Sequence, residues 1–398
     1  MALGSTIDER RQTEGRDRHR LPALDGIRGL AILLVMFLHF ADRSQPIGLA
    51  NRLYTQITGV GWIGVDLFFV LSGFLITGVL IDSRQSARYF KDFYARRTLR
   101  IFPLYYACLV AWIAVAPLFH PSSEVRQVAI AKMHQDQLWY WTYLSNWKMG
   151  LDGRWPPMGT SVYWSLAVEE QFYLVWPAVV LVFSPRALRN VCLSLIGLAF
   201  VARAIQVAAG AAPILVYVNT LSRMDALAVG ALAAMALRDP KQREWAQRTA
   251  PWVLALGAVS LAAMWIWIGT FYEYHPLMQT AGFTILAATF VSLLVEAVTP
   301  GSRVGAMFRS PALRFFGKYS YAMYLIHETL VYQIVPHVPE QWVIPGEMGG
   351  QLTRLIVSMT ATIVLAWLSW HLWEKHFLAL KRHFSGSVRL PPNRTVPA

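Results

Sequence analysis

Long apolar runs separated by short basic or aromatic connections set the pattern of this chain. Windows near the length needed to cross a hydrocarbon core of ~30 Å fall at 22–42, 59–81, 101–119, 162–183, 190–209, 214–237, 251–271, 276–298, 313–335 and 353–374. A bilayer offers no water to an exposed backbone N–H or C=O, so each window is predicted as a helix. The fold class expected is therefore all-α: a polytopic integral membrane protein of about ten transmembrane helices. The windows at 251–271 and 276–298 lie so close together that they must form a tight helical hairpin. Residues 1–20 read as a basic N-terminal segment, 21–376 as one membrane domain, and 377–398, with Pro391 and Pro392, as a tail expected to be disordered. No internal repeat is visible.

Composition agrees with the pattern. Apolar residues make up 55% of the 398 and charged residues only 15%, too little charge for a soluble protein of this length. Sixteen Trp, sixteen Tyr and twenty Phe suit a chain whose rings sit at two membrane interfaces. The net charge of +13 raises nucleic acid as a partner, but the basic residues lie between apolar runs and form no single patch, so nucleic acid is excluded and membrane lipid is the expected surroundings. They report topology instead. One set of alternate connections holds Arg10, Arg11, Arg16, Arg18 and Arg20, then Arg84 to Arg100, Arg186, Arg189, Arg238 to Arg248, Arg303 to Arg314 and the tail; the other holds only Arg43, Arg52, Arg126, Lys132, Lys148 and Arg154. The positive-inside rule then puts both termini in the cytoplasm of a bacterial-type inner membrane. Cys108 and Cys192 fall inside apolar runs, so neither a disulfide nor a metal site is expected. The first run carries Arg28 and lacks a small-residue cleavage signature, so it reads as a retained helix.

Ionisable side chains inside such windows cost a few kcal/mol on insertion scales and are functional candidates, with helix pairing as the competing explanation. Arg28 and His39 are eleven residues apart, about 1,100° of rotation, which puts them on one helix face ~16 Å apart. In that orientation His39 lies toward the outer side. The fourth window brings Glu169 and Glu170 in from outside, and the second brings Asp66, so three carboxylates are candidates to orient His39 or raise its basicity. Asp66, Arg223 and Asp225 fit equally well a set of buried ion pairs. Ser72 is a minor candidate nucleophile, and His327 in the ninth window a weaker second site residue. Arg96, Arg97 and Arg100 stand in a basic, aromatic connection on the cytoplasmic side. Arg97 and Arg100, at i and i+3, project together and suit a phosphate through bidentate hydrogen bonds, or else serve as an interfacial anchor. The outer connection 120–161 carries Trp139, Tyr140, Trp141, Tyr143, Trp147 and Trp155, rings that form an interfacial belt or stack on a sugar.

Taken in order, these segments resemble the acyltransferase family 3 of integral membrane acyltransferases. The likeness runs through Leu24-Asp25-Gly26-Ile27-Arg28-Gly29, His39, Gly64 to Ile76, Arg97 to Arg100, Trp164 to Tyr173, Arg223 to Gly230 and Tyr319 to His327. It implies ten helices, acyl-CoA, by default acetyl-CoA, as co-substrate, and transfer to a hydroxyl of a surface carbohydrate, a lipid-linked glycan or a secondary metabolite such as a macrolide. Arg28 and His39 match the family's essential pair, and Arg97 with Arg100 its cytoplasmic arginine motif. Trp373-Glu374-Lys375-His376-Phe377 departs from the family, which usually places a proline soon after the glutamate. Many relatives also carry a soluble hydrolase-like domain after the last helix, so this chain is expected to act alone or with separate partners. The expected scheme docks donor phosphates at Arg97 and Arg100, extends the donor arm past Arg28, and uses His39 as base with Glu170 or Glu169 orienting the ring. Direct transfer and a covalent acyl-histidine both remain open. A transporter or flippase using the buried Arg, His and Glu residues as a relay is the rival from another class; it predicts broken helices and repeat symmetry, neither of which the sequence displays.

Overall fold

The computed structural model describes residues 21–41, 47–115, 124–156, 159–342 and 347–384, and every regular element among them is helical. The basic segment 1–20, Arg43 and the end of the tail lie outside the described residues.

Helix α1 (Pro22–Phe40) starts on a proline, whose fixed φ suits the first helical position and whose missing N–H costs nothing there. It is followed by α2 (Gly48–Gly59), which runs through a tight turn into α3 (Ile63–Asp82), and then by α4 (Tyr89–Val110). In the long connection, α5 (Glu124–Trp141) and α6 (Ser145–Asp152) are clipped together by Lys132 and Lys148, which share Asp136 and Asp152 at 2.6–3.5 Å. The remaining helices are α7 (Tyr163–Val182), α8 (Pro185–Ala208), α9 (Pro213–Val218), α10 (Met224–Ala236), α11 (Pro240–Ile268), α12 (Phe283–Val298), α13 (Arg303–Phe308), α14 (Pro311–Ile334), α15 (Met348–Ser369) and α16 (Lys375–Ala379).

Seven stretches among the described residues are long and apolar enough to cross a membrane: α1, α2 with α3, α7, α8, α11, α12 with the wide turn before it, and α15 through Phe384. The chain is thus an all-helical polytopic membrane protein. Two of the other three predicted windows, the third and the ninth, fall in helices that are more polar. In the third, α4 opens on a basic first half; in the ninth, α14 carries Arg314, Lys318, His327 and Glu328.

The sixth window, expected as one helix over 214–237, is broken between α9 and α10. Asn219 turns extended at ψ 132°, and its side chain then accepts from Leu221 N–H at 2.9 Å and Ser222 N–H at 3.3 Å, starting the next turn. Asn146 of α6 covers the freed end, donating to Val218 O at 3.1 Å and Thr220 Oγ1 at 2.9 Å. The tail also differs from expectation: α16 and a turn over Leu380–Phe384 continue the chain as helix. Arg96 Nε donates to Phe384 O at 2.8 Å and Arg88 to His383 O at 3.4 Å, fastening this segment to α4.

Two helix pairs form the centre, α1 with α14 and α3 with α10. The apolar windows of α1 and of α2–α3 are 61% and 72% buried, whereas that of α11 is 6% buried and so forms the rim. Small residues make the central pairs possible, as membrane helices lacking a hydrophobic drive toward each other require. A Cβ added to Gly317 of α14 would sit 1.7 Å from Asp25 O of α1, and one on Gly73 of α3 1.9 Å from Leu227 O of α10. Both pairs therefore approach backbone to backbone.

Candidate active site

Where α1, α3, α4, α7 and α14 converge they leave a cavity of about 90 Å³. Arg28 reaches it from α1, Arg97 and Arg100 from consecutive turns of α4, and Ser72 from α3. Ser165, Glu169 and Tyr173 line it from one face of α7, as a spacing of four residues dictates, and Tyr321 and Tyr324 do so from α14. Three guanidiniums thus face one lining carboxylate, Glu169. Arg28 has its own helix neighbour Asp25 at 3.4 Å, and the Arg97 guanidinium lies over the rings of Tyr173 and Phe93 at 5.5 and 6.0 Å. Stacked guanidiniums keep their N–H edges available to a planar or tetrahedral anion. The Ser72 hydroxyl donates to Glu169 Oε1 at 2.5 Å, and the Tyr173 hydroxyl lies 3.0 Å from Ser72 Oγ and 3.1 Å from Glu169 Oε2. Tyr321 donates to Ile101 O at 2.6 Å, tying α14 to α4.

Outside the lining of this cavity, against His327 of α14, stands His39. Its Nδ1 is 2.9 Å from Val35 O and 3.1 Å from Nε2 of His327, with the two rings edge to face and their centroids 4.9 Å apart. His327 is fully buried, and its own Nδ1 lies 3.0 Å from Met323 O and 2.9 Å from Tyr324 O. Glu169 therefore sits elsewhere than expected. Counting from helix ends puts Glu169 at the depth of His39, but Ser72, deep in α3, holds it in the arginine-lined cavity. Glu170 follows it, with one buried carboxylate oxygen lacking a hydrogen-bond partner among the described residues. A side chain that does stand against the imidazole is His327.

Asp66, Arg223 and Asp225 belong to buried ion pairs. Arg223 donates to Asp66 Oδ1 at 2.5 Å, both side chains buried, and its guanidinium lies 4.2 Å from the Phe283 ring and 5.1 Å from that of Tyr217. Asp225 pairs with Arg203 at 2.8 Å, and Thr284 joins them at 2.6 Å from Arg203 and 2.9 Å from Asp225. Arg203 also donates to Ser222 O, and its guanidinium lies 5.6 Å from the Phe283 ring. Sequence reading misses Arg203, although an arginine inside the 190–209 window is the available signal. It also misses Glu328, which accepts from Ser161 Oγ at 2.7–2.8 Å and from Val162 N–H at 3.3 Å, so that α14 caps the start of α7 from outside the helix. Arg96 does not join Arg97 at the cavity; it is engaged by Phe384 O.

Most rings of the outer connection pack inward. Tyr143 stacks on Tyr105 at 4.3 Å, Trp141 on Tyr106 at 5.4 Å, and Trp155 donates to the Tyr274 hydroxyl at 2.6 Å. Trp147 is the partly exposed exception.

The fold and this axis of polar groups define a polytopic helical membrane protein with a cationic cavity and a histidine pair at its centre. Residues 21–371 match the family model described as an acyltransferase domain, and the chain belongs to that family, acyltransferase 3. It is 29% identical over 383 residues to the peptidoglycan O-acetyltransferase OatA of Listeria monocytogenes, covering 92% of this chain and 57% of that protein. It is 31% identical over 378 residues to a putative peptidoglycan O-acetyltransferase, YrhL, of Bacillus subtilis, covering 90% and 55%. A putative O-acetyltransferase of Staphylococcus aureus is 24% identical over 380 residues, covering 92% and 58%. The chain thus spans little more than half the length of these relatives. No solved structure matches it.

Proposed function

We propose that this chain moves an acyl group, acetyl in the simplest case, from acyl-CoA held at the cytoplasmic side to a hydroxyl of a cell-surface glycan at the outer side. The observation that carries the reading is the cavity in which Arg28, Arg97 and Arg100 meet with Glu169 as the one lining carboxylate, since three guanidiniums gathered in a membrane domain with so little negative charge call for an anionic ligand. The relatives' names support acetyl and a glycan acceptor. His39 Nε2 takes the proton of the acceptor hydroxyl as its oxygen attacks the thioester carbonyl; the C–S bond breaks and the thiolate leaves with that proton. An acyl group carried briefly on the same nitrogen would use the same residues. The break between α9 and α10 does not favour transport, because Asn146, Asn219 and the Arg223–Asp66 pair fill it. Purified protein is expected to consume labelled acetyl-CoA when a lipid-linked or soluble glycan is supplied. Flux of substrate across vesicles with no thioester consumed under any acceptor would remove the enzyme reading.

Arg97→Ala with Arg100→Ala should weaken acyl-CoA binding by calorimetry, at ~1.5–3 kcal/mol for each charge-assisted hydrogen bond removed. Unchanged affinity would return both residues to the role of membrane anchors. For topology, a cysteine replacing Val128 of α5 is expected to react with an impermeant thiol reagent on intact cells, and one replacing Lys91 of α4 is not, because the Lys and Arg asymmetry puts the basic connection inside. The reverse labelling would invert the orientation.

A further inference from the structure

We propose that His327 is a positioning residue that sets the tautomer of His39, a reading that rests on His39 being the base. The carbonyls of Met323 and Tyr324 have no hydrogen to give, so the nitrogen facing both of them, His327 Nδ1, must carry one. A neutral ring then has a bare lone pair at Nε2. That lone pair points at His39 Nδ1, 3.1 Å away, which also faces Val35 O at 2.9 Å. Two acceptors around one nitrogen require that nitrogen to hold the proton, and the only neutral arrangement without opposed lone pairs is Nδ1–H on both rings.

His39 Nε2 consequently keeps its lone pair, the form a general base needs. Val35 O alone would be a weak director, because it is the carbonyl four residues back that the helix ladder already engages. His327 adds a second acceptor on a different helix, and the edge-to-face contact at 4.9 Å opposes a half-turn of the His39 ring. When Nε2 takes a proton, the Nδ1–H bond to His327 becomes charge-assisted, so the same contact stabilises the imidazolium. A neutral acceptor performs here the orienting task that a carboxylate performs in a Ser-His-Asp triad.

The test compares two replacements in the full-length protein. His327→Gln keeps an acceptor near the former Nε2, whereas His327→Leu removes it. Transfer by the Leu variant should fall about 10²-fold in kcat with the KM for acyl-CoA near wild type, and the Gln variant should recover most of that loss. Equal loss in both variants would make His327 a packing residue, and a Leu variant with wild-type kcat would remove it altogether. Spectra of ¹⁵N-histidine protein, assigned with a His39→Ala sample, read the tautomer of His39 in the unmutated chain, so the answer does not depend on either variant folding. An Nε2–H tautomer there would overturn the proposal. If His39→Ala itself transfers normally, the base assignment fails instead, whatever tautomer the spectra show.

Discussion

His39→Ala is expected to yield a folded protein that binds acyl-CoA with near wild-type affinity and transfers its acyl group ~10²–10⁴-fold more slowly. Binding should survive because the cationic cavity is built from Arg28, Arg97 and Arg100, and His39 is not among its lining residues. Along α1, His39 stands ~16 Å beyond Arg28, so its removal touches only the reacting end. Calorimetry for the donor and single-turnover transfer to a glycan would be measured on the same preparation. A single-turnover rate near wild type would take this histidine out of the chemistry and direct attention to Ser72 and Glu169, whose 2.5 Å hydrogen bond inside the cavity is the next arrangement able to remove a proton.

Removing Asp66 should have the largest effect on stability. The Arg223 guanidinium is buried, and Asp66 is its carboxylate at 2.5 Å. Breaking such a pair from one side leaves an uncompensated charge and costs about 3–5 kcal/mol, whereas removing both charges together is often close to neutral. Asp66→Ala should therefore lower the thermal unfolding temperature in detergent sharply, and Asp66→Leu combined with Arg223→Met should recover most of it. The comparison also separates structure from catalysis. An Asp66→Ala protein of normal stability but no activity would return this carboxylate to the acid–base candidates.

Much of the molecule can be read from the chain because membrane helices announce themselves by length and polarity. The spacing of Arg28 and His39 is a property of one helix, and so is that of Arg97 and Arg100; both follow from 3.6 residues per turn. What stays hidden depends on register between helices. Counting from the start of α7 places Glu169 level with His39 only if all helices begin at one level, but α3 and α7 meet with Ser72 against Glu169. The His39–His327 contact joins residues 288 apart in sequence, and no local pattern encodes it. Arg203 escapes notice because its apolar neighbours make 190–209 look like a plain span; the lining of Asp225, Thr284 and Phe283 that satisfies it comes from other helices. The break after Val218 is signalled locally by Asn219, a residue whose side chain competes with the helix ladder, yet the flanking apolar runs outweigh it.

The glycine contacts between α1 and α14 bear on which donors can react. With Gly317 of α14 lying against Asp25 O and Gly29 of α1 against Leu313 O, neither rod can slide without a steric collision. One of these rods carries Arg28 and His39, and the other carries Tyr321, Tyr324 and His327. Together they act as a fixed gauge. On the proposed scheme, a donor whose phosphate is held at Arg28 must deliver its reactive carbon at a distance set by this pair of helices, so thioesters with truncated arms are expected to occupy the cavity and inhibit without being turned over.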